Sequence, residues 1–160
     1  MTKALDYKIF DADNHYYEVE DTFTRFGDEK VRKHVRWMQE GKRRHIFFGD
    51  RLSTGVPNPT FNPISKPGAF HDILKKLEVG GRPSGVAYGE LEALPEEYRQ
   101  RELRLARLAE QDVESVFMFP TLGQCVEHLM FDNADMMYRV FRSFNLWLDD
   151  EWGFNFEGKI

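Results

Sequence analysis

Asp11, Asp13 and His15 sit two residues apart in the run Phe10-Asp11-Ala12-Asp13-Asn14-His15. Alternate residues of a strand point to the same face, so this spacing predicts three side chains aimed together. A carboxylate beside an imidazole is a donor set for a divalent ion such as zinc or manganese. A catalytic zinc normally takes three protein ligands, however, and no matching ligand set follows later in the chain. A strand-end acid and imidazole that hydrogen-bond a loop are the structural alternative. A calcium loop starting at Asp11 is excluded, because its sixth position is Tyr16 where glycine is required and its twelfth is Thr22 where glutamate is required.

Other candidates are single residues. Thr121 follows a second apolar run and could offer its hydroxyl to a substrate oxygen, or simply stabilise a turn. His128 comes shortly after and could approach a substrate, with a surface or capping role as the alternative. Cys125 stands alone, so it cannot form an internal disulfide, and it reads as a small half-buried residue rather than a catalytic thiol. His34, His45 and His71 fall in the predicted hairpin and loop region and carry no assigned role.

The elements that would position these residues follow from patterning. Lys8 to Asp13 reads as a strand, and the polar stretch after Tyr16 and Tyr17 as a loop with a short helix. Val35 to Gln39 and His45 to Phe48 flank Glu40-Gly41-Lys42, which predicts a β-hairpin turning at Gly41. Thr54 to Pro67 carries Pro57, Pro59, Pro63 and Pro67 and predicts a long irregular loop. Ala69 to Leu77 reads as a short helix stopped by Gly80-Gly81-Arg82-Pro83. Together these make an insertion over about residues 30–90. Leu94-Pro95-Glu96-Glu97 opens a helix reaching Val113, and Ser115 to Phe119 reads as a strand buried on both faces. Asp132 is the expected N-cap of a long helix whose apolar stripe is Met137, Val140, Phe141, Phe144, Trp147 and Leu148. Gly153 closes that helix, and Glu157-Gly158-Lys159-Ile160 reads as the start of a third strand.

Composition narrows the class. The chain has 160 residues, 41% of them hydrophobic, and a formal charge of -5, which suits one domain and no nucleic-acid partner. Lys42-Arg43-Arg44 is the only basic cluster and reads as a solvated turn. No stretch approaches the roughly 18 apolar residues of a membrane span, and residues 1–6 lack a secretory core, so the expected location is cytoplasmic. Strand, helix, strand, helix and the start of a strand form a βαβ series, in which ligands bind beyond the carboxyl ends of the strands. Asp13-Asn14-His15 and Pro120-Thr121-Leu122-Gly123 both fall at that rim.

At these residues the chain resembles the amidohydrolase superfamily, in the branch related to aminocarboxymuconate semialdehyde decarboxylase and other metal-dependent hydrolases. The resemblance rests on Phe10 to His15, on Phe119-Pro120-Thr121-Leu122-Gly123 and on Phe144-Asn145-Leu146-Trp147-Leu148. It implies an α/β fold, a partial (β/α)8 barrel carrying the hairpin and the proline-rich loop as an insertion. It further implies that Asp13 and His15 are the first two metal ligands, with Asp11 as the preceding acid, and that Asp13 stands where the commoner pattern has histidine. The metal would be zinc or manganese, bound weakly or not at all by this chain alone. The substrate would be a small organic compound, carboxylated or cyclic, met by Thr121 and His128. Later histidines and a final aspartate of the family pattern have no counterpart here, and a whole barrel needs roughly 250 residues. The chain therefore reads as the amino-terminal portion of a hydrolase or decarboxylase, inactive alone. The alternative is a non-catalytic chain that works by pairing with another, either its own copy or a complementing carboxyl-terminal chain.

Overall fold

A computed structural model describes residues 6–69, 71, 74, 75 and 90–160. In chain order they form β1 (Ile9–Tyr16), α1 (Glu29–His34), β2 (Val35–Glu40), β3 (Arg43–Phe48), β4 (Arg51–Leu52), β5 (Ile64–Ser65) and β6 (Leu91–Glu92). A 3-10 turn (Glu96–Tyr98), α2 (Arg101–Glu110), β7 (Val113–Pro120), two further 3-10 turns (Gly123–Cys125 and Glu127–Met130) and α3 (Ala134–Glu151) complete the order. The chain divides into two units, Met1–Thr60 with Glu96–Ile160, and Phe61–Pro95.

In the first unit β1 and β7 pair in parallel. Parallel neighbours need a crossover, and α2 supplies the helix that precedes β7. The predicted first strand ends at Asp13, but the ladder continues to Tyr16 because Asn14, His15 and Tyr16 pair with Met118, Phe119 and Pro120. His15 therefore belongs to the strand rather than to the loop after it. The register slips between Asp11 and Asn14, which face Val116 and Met118: three steps along β1 match two along β7, a β-bulge.

The helix predicted from Leu94 onward begins later. Glu96–Tyr98 is a 3-10 turn, and extended backbone at Gln100 (φ -122°, ψ 117°) separates it from α2. At α3 the N-cap is Asn133, whose side chain accepts from the Met136 amide at 3.1 Å, and not Asp132. Asp132 instead meets Arg51 as a bidentate pair at 2.7 and 2.6 Å. The helix stops as expected: Gly153 takes φ +77°, a conformation suited to glycine, and donates to the Leu148 carbonyl at 2.9 Å. The expected third strand at Glu157 to Ile160 is a turn closed by Phe156 and Ile160, although the Lys159 carbonyl accepts from the Val116 amide of β7 at 2.8 Å.

The hairpin forms as predicted. β2 and β3 are antiparallel around Gly41, which adopts φ +58°. Its buried Ile46 and Phe48 connect it to the rest of the unit through a chain of rings. Phe23 packs edge-on to Phe48 (5.3 Å between centroids) and stacks on Phe144 (5.5 Å). Phe144 meets Trp147, Trp147 meets Tyr16, and Tyr16 stacks on Trp152. The α3 stripe thus covers one face of the strand pair.

The other face is open among the described residues. Phe10 and Phe117 contact each other edge-on at 4.9 Å, yet Phe117 remains 59% exposed and Phe119 41%. The expectation of a strand buried on both faces fails for β7, because helices cover only the side that carries Val116 and Tyr16.

In the second unit, β5 and β6 pair antiparallel, and the Lys66 amide donates to the Glu90 carbonyl at 2.8 Å. The proline-rich loop therefore contains one short regular pairing, made by Ile64 and Ser65, which lie between prolines. The predicted helix over Ala69 to Leu77 lies mostly outside the described residues, as does its Gly80-Gly81-Arg82-Pro83 stop wholly. Among the described residues no helix is long and apolar enough to cross a membrane.

Trp147 is 1% exposed and touches both Tyr16 and Phe144, so Trp147→Ala should destabilise the chain by about 3 to 5 kcal/mol. Tyr138, 68% exposed on the same helix, should cost under about 0.5 kcal/mol when changed to Ala. Denaturant midpoints of the two variants check the contrast.

Candidate functional site at the ends of the parallel strands

The bulge decides which side chains meet. With one extra residue between Asp11 and Asn14, strict alternation is lost, and Asp11 turns back on its own strand. Its carboxylate accepts from the Asp13 amide at 3.0 Å and from the Asn14 side chain at 2.8 Å. The Asn14 hydrogen bond, helped by that of Asp13, holds the Asp11 carboxyl below the usual carboxylate range. The predicted convergence of Asp11, Asp13 and His15 is thus corrected to a pair. Asp13 Oδ1 lies 3.2 Å from His15 Nε2, and among the described residues no group of three or more His, Cys, Asp or Glu side chains could hold a metal ion.

Thr121 reaches this pair from β7. Its hydroxyl donates to the Tyr16 carbonyl at 2.8 Å and stands 3.4 Å from His15 Nδ1. A hydroxyl has one proton, so while it donates to Tyr16 it meets the imidazole as an acceptor. Without a metal the Asp13 carboxylate favours a proton on Nε2; with an ion on Nε2 the proton would move to Nδ1, where the Thr121 oxygen can accept from it. Two ligands about 2.0 to 2.2 Å from one tetrahedral zinc lie about 3.3 to 3.6 Å apart, so the pair, at 3.2 Å, needs to open only slightly for its donor types to share a divalent ion. Asp13 is largely exposed and His15 about one-third exposed, which leaves the site reachable from solvent.

Two charged residues behind the site were not singled out by sequence. Arg104 of α2, 6% exposed, donates to the His15 carbonyl at 3.0 Å and lies over the Tyr98 ring, 4.5 Å from its centroid. Burial lowers its guanidinium pKa. It lies four residues before buried Leu108; an arginine on the core stripe of a helix is the signal that marks it. Glu18, 1% exposed, receives the Leu122 amide on both oxygens (2.9 and 3.0 Å) and the Gly123 amide at 2.7 Å. The signal for Glu18 was an acid set among Tyr16, Tyr17 and Val19, three residues past His15. Gly123 must be glycine for this approach: a Cβ there would lie 2.9 Å from Phe144 Cζ and 3.0 Å from Pro120 Cβ.

Burial pushes the Glu18 carboxyl up to about 7, against the opposing pull of the amide donors. Arg99 faces it from the turn before α2, donating to the Glu18 and Thr60 carbonyls at 3.3 and 2.8 Å.

The remaining candidates join no hydrogen bond of this set among the described residues. His128 is exposed on the 3-10 turn Glu127–Met130 and joins no hydrogen bond of the site among the described residues. His45 pairs with Glu40 across the hairpin at 3.0 Å, His34 packs against Gly49, and His71 is exposed in the second unit. Cys125 is a free, half-buried thiol, as its sequence context suggested.

No protein-family model matches the chain, and no curated protein does. Among solved structures it is similar to the crystal structure of an amidohydrolase from Mycobacterium avium subsp. paratuberculosis K-10, with 40% identity and a TM-score of 0.82. The likeness covers 98% of this chain and 41% of that one, so the chain spans about two-fifths of that protein's length. It supports the amidohydrolase superfamily and a hydrolase-like α/β fold.

A carboxyl whose folded pKa is raised binds its proton more tightly when folded. Its stabilising contribution is full below the unfolded value of about 4.5 and is lost as pH rises through about 7. That loss is on the order of 3 kcal/mol. Denaturation series from pH 4.5 to 8 should show this decline in the native chain, and Glu18→Gln, which cannot ionise, should flatten it. An identical decline in the variant would contradict the assignment.

Proposed function

We propose that the chain supplies the amino-terminal strands and helices of a metal-dependent amidohydrolase-type hydrolase or decarboxylase, in the branch near aminocarboxymuconate semialdehyde decarboxylase. The observation that carries this reading is the Asp13–His15 pair, 3.2 Å apart at the carboxyl end of a parallel strand, where α/β barrels place their chemistry. Asp13 and His15 would hold zinc or manganese, which supplies Lewis acidity toward a carbonyl or a bound water. Thr121 would accept a hydrogen bond from Nδ1 of His15 once Nε2 holds the ion. The substrate is a small carboxylated or cyclic organic compound that meets the rim formed by Thr121 and, from the adjoining turn, His128. A cytoplasmic setting suits the lone free thiol of Cys125.

The open face of the sheet supports a partial (β/α)8 barrel. Phe10, Phe117 and Phe119 line the side of β1 and β7 opposite the helices, and His15, 6.1 Å from the Phe119 ring, stands on that same side. In a barrel this side is the packed interior.

A second reading is favoured by the ligand count. With no third metal-binding side chain among the described residues, the chain would be non-catalytic alone and act by pairing with a second copy or with a complementing carboxyl-terminal chain. Unpaired strand edges and exposed apolar side chains promote that association.

Both readings predict weak metal binding by the isolated chain. Equilibrium dialysis should return zinc or manganese affinity no tighter than the micromolar range, abolished by Asp13→Ala or His15→Ala. One stoichiometric, nanomolar zinc lost on either substitution would show that further residues of this chain complete the site. Weak binding indifferent to both substitutions would remove Asp13 and His15 from the metal.

A further inference from the structure

The buried carboxylate of Glu18 has no part in holding the metal proposed above, yet among the described residues the hydrogen bonds of its carboxylate go to backbone next to the site. Its oxygens collect the amides of Leu122 and Gly123, the two residues directly after Thr121. Thr121 in turn joins the strands, donating to the Tyr16 carbonyl and facing His15 Nδ1. Glu18 itself follows Tyr16 by two residues, so the contacts close a loop: β1, Glu18, the β7 exit, Thr121, and back to β1.

We infer that Glu18 is a positioning residue, which fixes the Pro120-Thr121-Leu122-Gly123 turn so that the Thr121 hydroxyl holds the orientation of His15 and is in place to accept from Nδ1 when Nε2 binds the ion. The inference rests on the reading of His15 as a ligand, and deepens it by naming what holds that ligand in place. A residue that only stabilised the fold would not need to converge on this turn. Buried donors left without an acceptor are costly, which favours the turn position that keeps both amides on Glu18, and only glycine leaves room for it, since a Cβ at position 123 would meet Phe144 and Pro120. A hydrogen bond to the nitrogen that does not bind the metal commonly fixes the tautomer and orientation of a ligating imidazole.

The test follows hydrogen–deuterium exchange by mass spectrometry in the metal-free chain, at the Leu122 and Gly123 amides and at the Cε1 hydrogen of the His15 ring. Glu18→Met keeps the length of the side chain and removes both acceptors. It should speed exchange of the two amides by about tenfold or more and change the His15 ring rate at least twofold. Glu18→Gln retains one acceptor oxygen and should fall between native and Glu18→Met on both readouts. Thr121→Val should change the ring rate in the same direction while leaving the Leu122 and Gly123 amides protected. Faster amide exchange with an unchanged His15 ring would reduce Glu18 to a structural role and overturn the inference, as would no change in either. If Glu18→Met does not fold, the same decision is read from Glu18→Gln against Thr121→Val. Because no metal is present, failure here is separable from failure of Asp13 and His15 to bind zinc.

Discussion

The parallel pairing of β1 with β7, and the single extra residue it accommodates between Asp11 and Asn14, is the constraint on which the site depends. Without the bulge, Asp11, Asp13 and His15 would project together from one face. With it, Asp11 is spent on its own strand's backbone and Asn14, while Asp13 and His15 are left facing each other. The same register puts Tyr16 opposite Pro120, which is why Thr121 can reach both the Tyr16 carbonyl and the imidazole. Glu18 then closes the arrangement from the buried side, and Arg104 anchors the His15 carbonyl. Bulges are a common way to re-aim one side chain near an active site.

The rest of the first unit holds that pairing rigid from one side only. Tyr16 extends the strand end into a run of rings through Trp147, Phe144 and Phe23 to Phe48 of the hairpin. The residue next to the proposed ligand is thereby fixed by the packed core, and the site inherits its rigidity. The opposite face, with Phe10, Phe117 and Phe119, has no comparable cover among the described residues. A two-stranded parallel sheet covered on one side is an uncommon architecture, since parallel sheets are ordinarily buried on both. The amidohydrolase to which the chain is similar is more than twice as long.

Much of this was legible in the residues. Periodicity located the hairpin around Gly41, the α3 stripe and the stop at Gly153, because each is a local signal read within a few residues. The nearness of Asp13, His15 and Thr121 was also legible, since parallel strands in a βαβ series bring their carboxyl ends together. The bulge was not, because its cause is the pairing register with β7, about a hundred residues away. The N-cap moved from Asp132 to Asn133 for a similar reason: Arg51, distant in sequence, claims the aspartate. Glu18 and Arg104 were passed over because charged residues are ordinarily exposed, and only the fold shows which carboxylate and which guanidinium are buried beneath the site.

Anomalous X-ray scattering at the zinc edge, from crystals of the chain soaked at saturating zinc, locates the ion relative to Asp13 and His15. One peak should lie about 2.0 to 2.2 Å from both His15 Nε2 and an Asp13 carboxylate oxygen, with Thr121 still against Nδ1. A peak on other side chains, or none at His15 while zinc is bound elsewhere, would contradict it.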